Sequence, residues 1–276
     1  MLLAWSRRVS PQRMTTTLMR GLVLTLLFLP VVAHADRRYF LQTYSPFLSP
    51  AGEFEVETWI TAKAGKQDPR EGTAWVPRVE LEYAIHDRFS GAAYLNFEAP
   101  PGKGMRFESP SIEIIYRLAD PGRIAGDPAL YLETTESGKE LELESKLLIA
   151  HRRNRWIWAT NLVGEFEFRH DGQERLPSGK VLRNAFASEL TGGVGYEFNP
   201  HIALGIESRY RSEHPNFGAQ SAAVLSAGPS LNLRHGEAQL ALGVLPQIWG
   251  SPQSLGNRNL VDFEKLQVRA ILGIEL

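Results

Sequence analysis

The groups able to do chemistry in this sequence are carboxylates and guanidinium or ammonium groups, and most recur at every second position. Glu55 and Glu57 do so, as do Arg78, Glu80 and Glu82, then Glu113 and Arg117. The pattern continues with Glu142, Glu144 and Lys146, with Glu165, Glu167 and Arg169, with Glu207 and Arg209, and with Arg269. Charges placed together on one face of successive segments can act in two ways. They can pair in a packed interior, where opposite charges on neighbouring strands contribute about 0.2–1 kcal/mol each. Alternatively they can line a narrow, water-filled conduit whose charged rings select among solutes. Both readings stand. Acids outnumber bases in this set, so a passage along it would disfavour anions.

Catalytic chemistry finds little support. His86, His151, His170, His201, His214 and His235 are expected in turns or loops, none in mid-strand beside a serine. A lipid-modifying barrel enzyme would need a Ser and a His together on its outward surface. The sequence contains no H-x-x-x-H pair, no calcium-loop spacing of carboxylates and no G-x-S-x-G elbow. Cysteine is absent, which excludes disulfides, thiolate metal sites, cysteine nucleophiles and lipid attachment at an N-terminal Cys. No catalytic residue, metal site or cofactor is expected.

The charges alternate with apolar residues because side chains switch faces at each residue of a strand. Phe54, Val56, Thr58 and Ile60 oppose Glu53, Glu55 and Glu57, and Trp75, Val79, Leu81 and Tyr83 oppose Arg78, Glu80 and Glu82. Similar segments recur to the C-terminus, where Leu266, Val268, Ala270, Leu272 and Ile274 oppose Gln267, Arg269 and Glu275. About twelve such segments of roughly 8–12 residues can be read, close to the length that spans a bilayer when tilted.

Residues 1–35 are expected to be a signal peptide. Arg20, the apolar run Gly21–Ala33 and the A-x-A site Ala33-His34-Ala35 are its parts, and Met14 is an alternative start. Arg7, Arg8, Arg13 and Arg20 lie in this leader with no acidic residue, leaving 26 basic against 31 acidic residues beyond it. No basic patch remains to suggest nucleic acid as a partner. The mean hydropathy of −0.21 argues against a helical membrane bundle. It permits a membrane barrel, in which half of each strand faces a polar interior. Residues 36–276 read as one domain without a linker.

The connections alternate in length. Short ones fall near His86–Arg88, His151–Arg155, Asn199–His201 and Arg234–Gly236, and long ones at 65–72, 99–109, 169–183, 212–220 and 247–262. Thr135–Lys139 is expected to be short against the rule, and Ala119–Asp127 rather long. Tight turns at one end and long loops at the other are the habit of transmembrane barrels. Tyr83, Phe89, Tyr116, Trp156, Trp158, Tyr196 and Phe198 lie near the short-turn ends on the apolar face, where a membrane-interface belt is expected.

The leader, the stretches Glu53–Lys66 (EFEVETWITAKAGK) and Val79–Asp87 (VELEYAIHD), and the terminal strand resemble a known group. They are similar to uncharacterised proteobacterial outer-membrane β-barrel proteins described as candidate transporters, akin to the phenol-degradation outer-membrane group of the MetA pathway. The terminal strand also resembles the assembly signal of such barrels, though it ends in Leu276 where they usually carry Phe or Trp. The resemblance implies an all-β, up-and-down antiparallel transmembrane barrel in the outer membrane of a Gram-negative bacterium. Outer-membrane lipid and the barrel-assembly machinery would be its partners, with a small-molecule solute in addition. A passive channel or transporter with a charged lumen is the function expected. A structural or surface-interaction barrel with a plugged lumen, and a membrane-embedded lipid-modifying enzyme, are the alternatives.

Overall fold

The computed structural model describes residues 38–66, 68, 72–170, 175–176 and 179–276. The expected signal peptide, residues 1–35, lies outside the described residues. Twelve strands are found among the described residues. They are β1 (Phe54–Ala64), β2 (Ala74–His86), β3 (Phe89–Glu98), β4 (Arg106–Arg117), β5 (Ala129–Glu136), β6 (Glu140–Arg153), β7 (Trp156–Arg169), β8 (Asn184–Asn199), β9 (Ile202–Pro215), β10 (Ala222–His235), β11 (Ala238–Ser251) and β12 (Leu266–Glu275). Each pairs antiparallel with its sequence neighbours, and β1 pairs with β12 from Glu55↔Glu275 to Ala64↔Leu266, so the sheet closes on itself. Closure leaves no unpaired edge, as required where no water can satisfy backbone groups.

The two faces of this wall divide as the alternation predicts. Outward lie Leu81, Leu95, Ile112, Leu132, Leu162, Leu190, Leu204 and Leu272, all exposed. Inward lie Glu57, Glu80, Tyr94, Glu113, Tyr131, Asn161, Thr191 and Glu207, all buried. Such an inversion is costly in water and favourable in hydrocarbon. Leu190→Arg, near the middle of β8, is therefore expected to cost about 2–4 kcal/mol of stability. Equilibrium unfolding from lipid vesicles measures it.

The turns follow the alternating lengths, including both departures: only 137–139 join β5 to β6, and 118–128 join β4 to β5. Several strands extend further than expected. β6 runs through His151 to Arg153, and Asn154 takes a left-handed φ of 57° in the two-residue turn that follows. β9 runs to Pro215, so Ser212 and His214 belong to a strand. The cause is ladder pairing that continues past the apolar band: Ser188↔Ser212 and Phe186↔His214 remain in register. In the 118–128 connection the Arg88 guanidinium donates to Asp120 at 2.8 Å. This hydrogen bond holds the Asp120 carboxyl below its ordinary range.

The seven aromatics expected to form a belt lie at the short-turn ends of their strands. Tyr83, Tyr116, Trp156, Trp158 and Phe198 are exposed, and Phe89 and Tyr196 half-buried. Phe54 packs tilted against Tyr83 and Trp156 edge-on against Tyr196, each with centroids 4.9 Å apart. A second group, Phe97 with Phe107 and Phe166 with Phe186 and Phe217, lies at the long-loop end.

Four ladders shift register, and at one of them pairing lapses over several residues. The β10–β11 register shifts between Leu225 and Ser226, and after Ser226↔Gln247 pairing resumes only at Ser230↔Gly243. At the gap Gly228 packs so close to β11 that a Cβ would overlap the Val244 carbonyl oxygen. Gly228→Ala must force the two strands apart, at about 3 kcal/mol. A lowered urea midpoint and loss of the heat-resistant folded band on gels would report it.

Candidate functional site

The lumen contains a stretch of chain. Residues 38–49 precede β1 and run inside the barrel, where Tyr39, Phe40, Leu41, Thr43, Tyr44 and Ser49 are all buried. This segment has no strand partner, so its backbone groups must be satisfied by side chains of the wall. Glu207 accepts from three consecutive amides, Leu41 at 3.0 Å, Gln42 at 2.7 Å and Thr43 at 2.6 Å. Asn161 holds Tyr44 in both directions, accepting from its N–H at 2.7 Å and donating to its carbonyl at 2.9 Å. Gln239 accepts from the Arg38 amide, Asn232 donates to the Arg38 carbonyl, and Arg269 donates to the Leu41 carbonyl.

Side chains lock the same segment. Arg38 makes a bidentate pair with Glu57 at 3.2 and 2.8 Å, and lies 4.6 Å from the Tyr44 ring centroid and 4.9 Å from that of Trp59. Burial opposes its charge, but Glu57 and the neighbouring Tyr44 and Glu80 outweigh it and hold the guanidinium above its ordinary range. Burial likewise pushes the Tyr44 phenol up, against the pull of Lys146 and Arg38. Two wall glycines make the seat. A Cβ on Gly193 would stand 2.5 Å from the Phe40 ring, and one on Gly243 would overlap Leu41. The wall is thus shaped to this segment.

The segment fills the short-turn half of the barrel. Its partners Glu57, Glu197, Asn232 and Gln239 lie there, and the chain leaves beside Ala84 and Asp87 before β1 begins. Above it, in the long-loop half, is a cavity of about 360 Å³. Gln42, Tyr44, Trp59 and Arg269 line its inner end, while Glu108, Ser137 and Glu140 line it near the rim.

The sixteen charged residues expected inside divide among these regions. Arg78, Glu142, Glu144, Lys146, Glu165, Arg209 and Arg269 line the cavity. Glu55, Glu57, Glu80, Glu82, Glu113 and Glu207 belong to the plugged half, around the segment. Glu167 and Arg169 pair with one another at 3.4 Å near the long-loop rim. Arg117 is a correction. It is the last residue of β4 and donates to the Asp87 carbonyl at 2.9 Å, so it binds the short turn and does not line a lumen. A strand's phase gives the face of a residue but not its height in the wall.

Two further expectations are corrected. Neighbouring strands match acid with base only in part: Glu140 faces Arg169 and Glu189 faces Arg211, but Glu55 faces Glu82, Glu57 faces Glu80, and Glu142 faces Glu167. Glu113, Glu133, Glu144 and Glu165 form one continuous row across β4 to β7. Like charges directly opposite are unfavourable, and they are offset by partners arriving from elsewhere. Arg38 comes from the segment, Arg78 reaches Glu133 at 3.5 Å from β2, and Arg211 reaches Glu165 at 2.7 Å from β9. Tyr94 and Tyr131 donate to Glu113 and Glu133. The acidic excess at the cavity is also smaller than expected, with seven carboxylates against six cations. Lys63, Arg211, Glu108, Glu133, Glu140 and Glu189 supply the difference, all but Glu108 in phase with residues already recognised.

The histidines need a similar revision. His86 and His235 end strands, and His151 and His214 lie within them. His214 Nε2 stands 3.2 Å from Ser212 Oγ, itself 2.9 Å from Ser188 Oγ. Ser212 is only 4% exposed, whereas His214 is half-buried.

Closed pairing, an apolar exterior and a polar interior define an up-and-down transmembrane β-barrel of twelve strands. The profile of a family of unknown function (DUF6662) matches residues 160–276. No curated protein matches the chain. Among solved structures, the fold is similar to the COG4313 outer membrane channel from Pseudomonas putida F1. The TM-score is 0.57 at 12% identity, over 86% of this chain and all of that one. A bacterial polysaccharide outer membrane secretin gives 0.45 at 9% identity, covering 81% of this chain and 98% of its own. OmpT of Vibrio cholerae, in its trimer form, gives 0.34 at 8% identity over 82% and 100%. The likeness is one of fold, in keeping with the resemblance the sequence carries.

Proposed function

We propose that the protein is an outer-membrane channel for small polar solutes, closed at rest by the segment 38–49. The observation that carries this is the division of one lumen into a filled short-turn half and a charged cavity in the long-loop half. Long loops face outward in such barrels, which makes the cavity a vestibule on the outer side. A solute enters there and passes only when the segment yields. The apolar exterior with aromatics at both ends supports a lipid setting, and the fold shared with an outer membrane channel supports the outer membrane. Export by a signal peptide at residues 1–35, and assembly by the barrel-insertion machinery, complete the reading. A non-enzymatic role accords with the buried Ser212.

The test is planar-bilayer recording from purified protein. Brief, infrequent openings are expected from the intact chain, and sustained ones once the segment is loosened. Silence in both forms would replace this reading with a structural barrel, which the many buried contacts of the segment also favour.

A further inference from the structure

We propose that the vestibule binds small dipolar solutes, molecules that carry an anionic and a cationic group together. The proposal rests on the channel reading for access from outside, and concerns what the site prefers.

Strand order sets the geometry. In a closed barrel of twelve, β6 lies diametrically opposite β12, and β7 opposite β1. Glu142 of β6 thus faces Arg269 of β12 across the cavity, and Glu165 of β7 faces Lys63 of β1. The carboxylates of β4 to β8 form one wall, and the cations of β9, β12, β1 and β2 the other. Lys146 is the exception on the acidic side, where Glu144 holds it at 2.7 Å.

Most of these charges are engaged, and those left over have opposite signs on opposite walls. Glu165 and Glu189 are taken by Arg211 and Arg209. Among the described residues Lys63 and Arg269 have no carboxylate within ion-pair distance, and Glu142 has no cation. Arg269 is steadied by Thr61 and by the Leu41 carbonyl, so its guanidinium is positioned without being neutralised. Trp59 and Tyr44 form an aromatic floor between the walls. A singly charged solute would satisfy one wall and desolvate the other uncompensated, which is unfavourable. A dipolar solute satisfies both at once, and the space of about 360 Å³ is at the small end of ligand sites.

The test compares 4-aminobutyrate, butyrate and butylamine at equal concentration by saturation-transfer NMR on the purified full chain in micelles. Transfer to 4-aminobutyrate is expected to exceed that to either single-charge analogue by about fivefold, the worth of roughly 1 kcal/mol. Lys63→Met and Glu142→Gln should each remove most of that preference, with heat-resistant migration on gels certifying the fold. Equal transfer to all three probes, or a preference untouched in either folded variant, overturns the proposal. Should one variant fail to fold, the other and the wild-type comparison still decide. Selective binding in a protein without conductance would defeat the channel reading and leave this site standing.

Discussion

Deleting Arg38–Ser49 is expected to convert a barrel that conducts rarely into a steadily open pore, with single-channel conductance higher by about tenfold or more. Every ladder of the wall runs strand to strand, and none uses residues 38–49. The wall should therefore still close without them. What is lost is the filling of the short-turn half: Phe40 and Leu41 vacate their recesses at Gly193 and Gly243, and Tyr44 leaves the cavity floor. Twelve strands enclose more space than small side-chain-filled barrels do. The remaining inward groups of this half mix apolar side chains such as Ile115, Leu148, Ile157 and Ile271 with the carboxylates Glu57, Glu80, Glu113 and Glu207, and the carboxylates should draw water into the vacated space. Planar-bilayer recording measures the change, and the heat-resistant folded form on gels checks assembly. A folded deletion variant as silent as the intact chain would show that the wall itself makes the seal.

Glu207→Ala should open the same pore without removing any chain. One carboxylate satisfies three successive amides of the segment, which place their N–H groups around a single anion. Hydrogen bonds to a charged acceptor contribute about 1.5–3 kcal/mol each. They share one acceptor here, and water will reclaim part of the loss when the segment swings free. A net loosening on the order of 3–4 kcal/mol follows, raising the open fraction by roughly two to three orders of magnitude. Recordings should show long openings at the conductance of the deletion variant. Glu207→Gln keeps an acceptor oxygen and should fall between. Asn161→Ala removes two hydrogen bonds to a single residue and should loosen the segment less, by about 1–2 kcal/mol. An open fraction unchanged in Glu207→Ala would mean that the side-chain seats of Phe40 and Leu41, and the Arg38–Glu57 pair, hold the segment without it.

Much of the barrel is legible in the sequence. Alternation assigns a residue to a face by counting, and hydrocarbon outside with charge inside leaves one way to orient that count. Glu57, Glu80, Glu113 and Glu207 are inward for that reason, and Leu81, Leu132 and Leu204 outward. Loop lengths likewise distinguished the two ends. Strand ends were less legible, because pairing persists beyond the apolar band that marks a strand in the sequence. That is why His151 and His214 were expected in loops.

The candidate site was legible only in part, and the missing half had no local signal. Residues 38–49 show neither period, and aromatic content alone does not reveal that Phe40 and Leu41 will be buried. Their place depends on glycines some 150 and 200 residues away, and on Glu207 at mid-height of β9.

Local periodicity thus determined that this chain forms a two-faced wall with charge on its inner side, because every residue along a strand reports its own face. Only the closed barrel decided what that inner side does. Closure fixes which strands lie opposite one another, sets carboxylates abreast across neighbouring strands, and brings the N-terminal segment to Glu207 and Asn161. Those are relations between distant parts of the chain, and they exist only once the last strand has met the first.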